Sequence, residues 1–177
     1  MKTLGTLASF STVARRALGP IVALAMFLLP RAAVAQENES GWSVNLTPVL
    51  LLRHHDDRLG GGADPELKYT LDLGAARLSA GARVGVYYAK DLFGVTVMPT
   101  WRLMVPVGPI EPYVAFGMGY GWLPKTGHAD IATMSRLGIV YRFSARFAVG
   151  IEGTFQKLDG SRFRFPSLGS MISVDLF

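Results

Sequence analysis

The residues of this 177-residue chain that are able to do chemistry fall into three groups. His54-His55-Asp56-Asp57 sets two imidazoles beside two carboxylates, donors that a divalent zinc or nickel ion accepts. Adjacent side chains rarely converge on one ion, and no spaced ligand set accompanies them, so a solvated loop is expected there and no metal site. His128, Asp130 and Ser135 are the types of a base, an orienting carboxylate and a nucleophile. The third group is the largest: Lys68, Arg77, Arg83, Arg102, Arg136, Arg142 and Arg146 recur at alternate positions, with Glu66, Asp72 and Glu152 among them. Charges at period two line one face of a strand, and in a dry interior they must pair. Glu152 is expected to bridge Arg136 and Arg142 from the neighbouring strand.

The elements that carry these charges alternate. From Tyr113 to Trp122, Val114, Phe116, Met118, Tyr120 and Trp122 oppose Tyr113, Ala115, Gly117, Gly119 and Gly121. One face is large and apolar, the other mostly small. The same pattern holds over Arg77–Tyr88, Phe93–Val105, Arg136–Phe143 and Arg146–Gln156. With Trp42–Arg53, Glu66–Leu73 and Leu168–Phe177 this gives eight strands, most near the ~9–11 residues that cross a bilayer when tilted. An all-β, antiparallel, up-and-down barrel is the expected fold. Pro48 and Pro99 conflict with unbroken strands and are expected at bulges or rims.

The first 35 residues stand apart. Lys2, Arg15 and Arg16 precede an apolar stretch from Ala17 to Pro30, and Ala33-Val34-Ala35 follows. This is the pattern of a secretory signal peptide, expected to be cleaved after Ala35 following export through Sec, with a short segment 36–41 before the barrel at 42–177. Its removal takes away four basic residues and no acidic ones, so the net charge drops from +5 to +1. A nucleic-acid partner is therefore not expected. The absence of cysteine excludes disulfides and thiolate metal sites, and no cofactor is called for.

A soluble barrel also alternates, so what places the apolar parity in lipid is the distribution of aromatics, glycines and arginines. Trp42, Phe143, Phe147 and Phe177 fall near one rim, and Tyr88, Phe93, Trp122 and Phe155 near the other, as two interfacial girdles. The opposite parity, rich in glycine and arginine, suits a narrow filled interior. Connections His54–Asp64, Pro124–Asp130 and Leu158–Pro166 are long and polar, whereas Gly74–Ala76 and Ser144-Ala145 are tight. That contrast implies a first strand running outward, although Ala89–Leu92 and Pro106–Glu111 fit it less well.

The segment Glu111-Pro-Tyr-Val-Ala-Phe-Gly-Met-Gly-Tyr-Gly-Trp122, the strand-turn-strand from Gly138 to Gln156 and the terminal Phe177 resemble the small outer-membrane β-barrel superfamily, which includes the transmembrane domain of outer membrane protein A and outer membrane protein X. The resemblance implies outer-membrane location, surroundings of lipid and lipopolysaccharide, insertion by the barrel-assembly machinery and a monomeric barrel. It departs in the last strand, where Ser173 and Asp175 replace apolar residues, so that Phe177 lies past the strand or a bulge shifts the register. A salt-bridged, closed interior with a structural or surface-interaction role is the expected function, Lys125, Arg162 and Arg164 being the loop cations available to phosphates. An excess of interior cations leaves open a narrow anion-favouring pore. Members of such a family that modify lipid A would give His128, Asp130 and Ser135 an enzymatic role, but no local pattern of those enzymes is present, and no enzyme is expected.

Overall fold

The computed structural model describes residues 40–52, 59–89, 92–159 and 164–176. Eight strands follow in order: β1 (Gly41–Leu52), β2 (Leu59–Asp72), β3 (Arg77–Ala89), β4 (Leu92–Met104), β5 (Ile110–Leu123), β6 (His128–Arg142), β7 (Phe147–Leu158) and β8 (Arg164–Asp175). Each pairs antiparallel with the next, and β8 returns to β1, closing the barrel. Closure leaves no edge, so every strand can satisfy its backbone from its neighbours.

Period two sets which residue faces where. Along β1, Trp42, Val44, Leu46, Leu50 and Leu52 are exposed on the outer wall while Ser43, Asn45, Thr47, Val49 and Leu51 are buried inside. The barrel is thus inverted relative to a soluble one: large apolar side chains outside, polar and charged ones within. Ile151 on β7 and Leu137 on β6 are 69% and 62% exposed. A wall of this kind is stable only in an apolar solvent.

The prolines are accommodated without bulges. Pairing between β4 and β5 stops after Val97↔Tyr120 and resumes at Thr100↔Gly117 in the same register, a two-position gap at Pro99. Pro48 makes the same gap against β8, and Pro65 against β3. Each missing N–H costs one ladder bond and leaves the register intact, which corrects the expectation of bulges or rim positions. β8 likewise keeps one register against both neighbours through Asp175, with Ile172, Val174 and Leu176 outward, so no bulge shifts it; Phe177 lies outside the described residues.

Several strands start earlier than the alternation suggested, β5 at Ile110 and β8 at Arg164 among them. β2 begins at Leu59 and runs through Gly60-Gly61-Gly62-Ala63-Asp64-Pro65, and β6 begins at His128. The contrast in loop length disappears as a result. Residues 53–58, 90–91, 124–127 and 159–163 connect strands at one end, and 73–76, 105–109 and 143–146 at the other. The turns are locally encoded. Gly74 adopts φ +81°, which a side chain would resist, and its N–H donates to Asp72 Oδ1 at 2.7 Å. In the 143–146 turn Ser144 Oγ accepts from the N–H groups of Arg146 and Phe147.

Candidate functional site: the barrel interior

The interior is a stack of ion pairs and hydrogen bonds supported by glycines. At the end holding the 73–76, 105–109 and 143–146 turns, Arg77 on β3 takes Asp72 at 2.8 Å and also pairs with Glu111. Arg142 on β6 meets the same Glu111 at 3.0 Å and pairs with Asp175 on β8.

Next along the strands, Glu66 on β2 accepts from Arg102 (2.6 Å), Thr100 (2.6 Å) and Asn45 (3.1 Å), with Arg136 at 3.5 Å. Arg136 also lies 3.2 Å from Glu152, to which Tyr113 donates its hydroxyl, and the Arg102 guanidinium stacks 4.3 Å from the centre of the Tyr113 ring. Further still, Arg83 pairs with Asp64 and donates to Tyr87 Oη, and Tyr87 donates to Gln156 at 2.9 Å. At the far end Ala89, Leu123 and Leu158 close over Met98 and Met134, with Phe165 packed against them.

Three of these contacts join strands on opposite sides of the barrel: Glu66–Arg136 from β2 to β6, Tyr87–Gln156 from β3 to β7, and Arg102 to the Met171 sulfur, 3.7 Å, from β4 to β8. Glycines make this reach possible. A Cβ on Gly138 would come within 2.5 Å of the Tyr113 ring, and one on Gly85 within 2.3 Å of the Tyr87 hydroxyl. The small interior parity is therefore the complement of the long side chains that cross it.

The sequence-marked residues divide as follows. Glu66, Lys68, Arg77, Arg83, Arg102, Arg136 and Glu152 are buried inside, with Asp72 and Arg142 half-buried at the turn end. Arg146 does not join them: it sits exposed in the 143–146 turn, because β7 starts only at Phe147. Glu152 bridges to Arg136 but not to Arg142, which turns to Glu111 and Asp175. Asp64, Glu111 and Asp175 were missed as interior carboxylates. Asp64 and Glu111 lie two positions before the interior-parity residues Glu66 and Tyr113, so extending the alternation by one step would have found them. With them counted and Arg146 removed, six interior cations face six carboxylates in this network, Asp130 being a seventh on the same parity at the rim, and the expected positive excess is gone.

On the outer wall, Trp42, Phe143 and Phe147 are exposed at one end and Tyr88, Trp122 and Phe155 at the other; Phe93 is half-buried. Phe143 and Phe147 stack at 6.2 Å. Phe116 stands mid-strand on β5, so aromatics also occupy the middle of the wall.

The candidate catalytic set is separated by parity. His128 Nε2 lies 4.0 Å from Asp130 Oδ2, both on the interior parity of β6, whereas Ser135, an odd number of residues on, is exposed on the outer wall. The His54–Asp57 group and Arg162 lie outside the described residues.

The closed eight-stranded antiparallel barrel is a fold shared with solved structures. The outer membrane enzyme PagL superposes with a TM-score of 0.55 at 11% identity, over 75% of this chain and 99% of that one. Neisserial surface protein A gives 0.53 at 11%, covering 76% and 96%, and the N-terminal β-barrel domain of Pseudomonas aeruginosa OprF gives 0.53 at 12%, covering 78% and 100%. The fold is that of the small outer-membrane β-barrels. No protein-family model and no curated protein matches the chain. At these identities the small outer-membrane barrel likeness is one of fold, and the three structures include both an enzyme and a surface protein.

Proposed function

We propose that this chain is exported through Sec, loses its signal peptide after Ala35, and is inserted by the barrel-assembly machinery into the outer membrane as a monomeric, non-enzymatic barrel with a closed interior. Its role is structural or surface-interacting, carried by the wall and rims rather than by the lumen. The observation that carries this is the set of three contacts between opposite strands, Glu66–Arg136, Tyr87–Gln156 and Arg102–Met171. Side chains that meet across the full width leave no continuous path for an ion. The lack of a cation excess removes the attraction that an anion-favouring pore would need, and the separation of Ser135 from His128 removes the nucleophile from its base.

Conductance tests this. Purified, refolded barrel added to a planar bilayer should insert without discrete current steps. Reproducible unitary steps with a reversal potential of anion selectivity would overturn the closed interior.

A further inference from the structure

Every charged side chain on the described strands belongs to the interior parity except two. Lys157, the last residue but one of β7, and Arg164, the first of β8, stand on the outer wall as direct register partners. Like charges opposite one another on one face of a sheet repel. A cation on a lipid-facing wall is tolerated only near the interface. Lys157 is ten residues beyond Phe147, about 33 Å along the strand and about 25 Å along the membrane normal at the usual tilt. That is the height of the apolar band, so the pair stands at headgroup level. Toward the opposite rim the same two strands present Phe155, Ile151, Leu168 and Ile172 outward.

A cation pair above an apolar wall is complementary to an anionic headgroup above its acyl chains. Lys157 Nζ also lies 2.5 Å from Asp159 Oδ1, with both side chains roughly two-fifths exposed, so part of its charge is already taken. Arg164 has no carboxylate within ion-pair distance among the described residues, and its planar fork matches a phosphate bidentately.

We propose that Lys157 and Arg164 form a phosphate site for a membrane lipid on the barrel's outer wall, and that its occupant is the phosphorylated glycolipid of the outer leaflet. This rests on the reading that the barrel spans the outer membrane, and we further take the 159–163 end, opposite the start of β1, as the outward one. The chemistry recognised is a lipid phosphate, which a glycerophospholipid also carries, so the test compares the two.

The folded barrel in an uncharged detergent is titrated with lipid A and, separately, with phosphatidylglycerol, and bound lipid is counted by native mass spectrometry. One lipid A is expected to be retained. Its affinity should fall on the order of tenfold in Lys157→Gln/Arg164→Gln, rise several-fold in Asp159→Asn, and stay unchanged in Arg146→Gln at the opposite end. Unchanged binding in the double variant would overturn the site, and phosphatidylglycerol binding as tightly with the same sensitivity would overturn the glycolipid assignment. Should the double variant fail to fold, Arg164→Gln against Arg164→Lys carries the same comparison. Failure of the underlying reading looks different: the wild-type barrel would then not partition into lipid vesicles at all.

Discussion

Arg136 on β6 reaches Glu66 on β2, four strands away across the barrel, with Nη1 3.5 Å from Oε2. Glu66 serves Arg102 at the same time, at 2.6 Å, and all three side chains are almost wholly buried. Removing this one carboxylate leaves the Arg102 guanidinium without a carboxylate partner, while Arg136 keeps Glu152 at 3.2 Å. Glu66→Gln should therefore cost about 3–5 kcal/mol, read as a lower urea midpoint for unfolding from lipid vesicles. Adding Arg102→Met should restore part of the loss, since it withdraws the one charge left unpaired; a purely additive loss would contradict the coupling.

Gly138 lies under the Tyr113 ring, its register partner on β5, and a Cβ there would come within 2.5 Å of ring carbons. Gly138→Ala should displace the ring from Glu152 and lower stability by about 1–3 kcal/mol. Gly153 has the outward parity and its nearest contact would be 3.9 Å away, so Gly153→Ala should leave the unfolding midpoint unchanged. Equal effects at the two positions would show that interior crowding does not explain the glycines.

Pro99 deprives the Met118 carbonyl, opposite it in register, of a strand donor. In hydrocarbon that acceptor has no water to turn to. Pro99→Val keeps the residue outward and apolar, restores the N–H and should raise stability by roughly 1 kcal/mol after the entropy lost with proline. A destabilised variant would mean that the gap is satisfied in another way.

The sequence carries the barrel because lipid outside and charge inside impose the same period on every strand, as in Phe116, Met118, Tyr120 and Trp122 against Gly117, Gly119 and Gly121. It obscures the strand ends. Gly60-Gly61-Gly62 and Pro65 have the composition of a loop, yet two of those glycines face inward beside Leu51, Tyr87 and Ala89 and give them room. At the start of β6, Thr133 and Ser135 interrupt the apolar parity, and His128 and Asp130 look like loop residues until pairing with β5 fixes them as strand. The starts of β2 and β5 hid Asp64 and Glu111, and with them the balance of the interior charges. Such boundaries also produced a contrast in loop length that the structure does not have. Which charges pair was not legible either: Arg142 with Glu111 and Asp175, rather than Glu152, depends on positions across the barrel and not along the strand.

The chain has three tryptophans, Trp42, Trp101 and Trp122, and all three stand exposed on the outer wall. Their environment therefore reports directly on whether that wall meets lipid. The refolded barrel is placed in vesicles whose acyl chains carry bromine, and tryptophan emission is compared with that in unbrominated vesicles. A membrane-spanning barrel predicts blue-shifted emission that bromine strongly quenches. Emission at the wavelength of hydrated indole, unchanged by brominated lipid, would contradict the membrane placement of the fold.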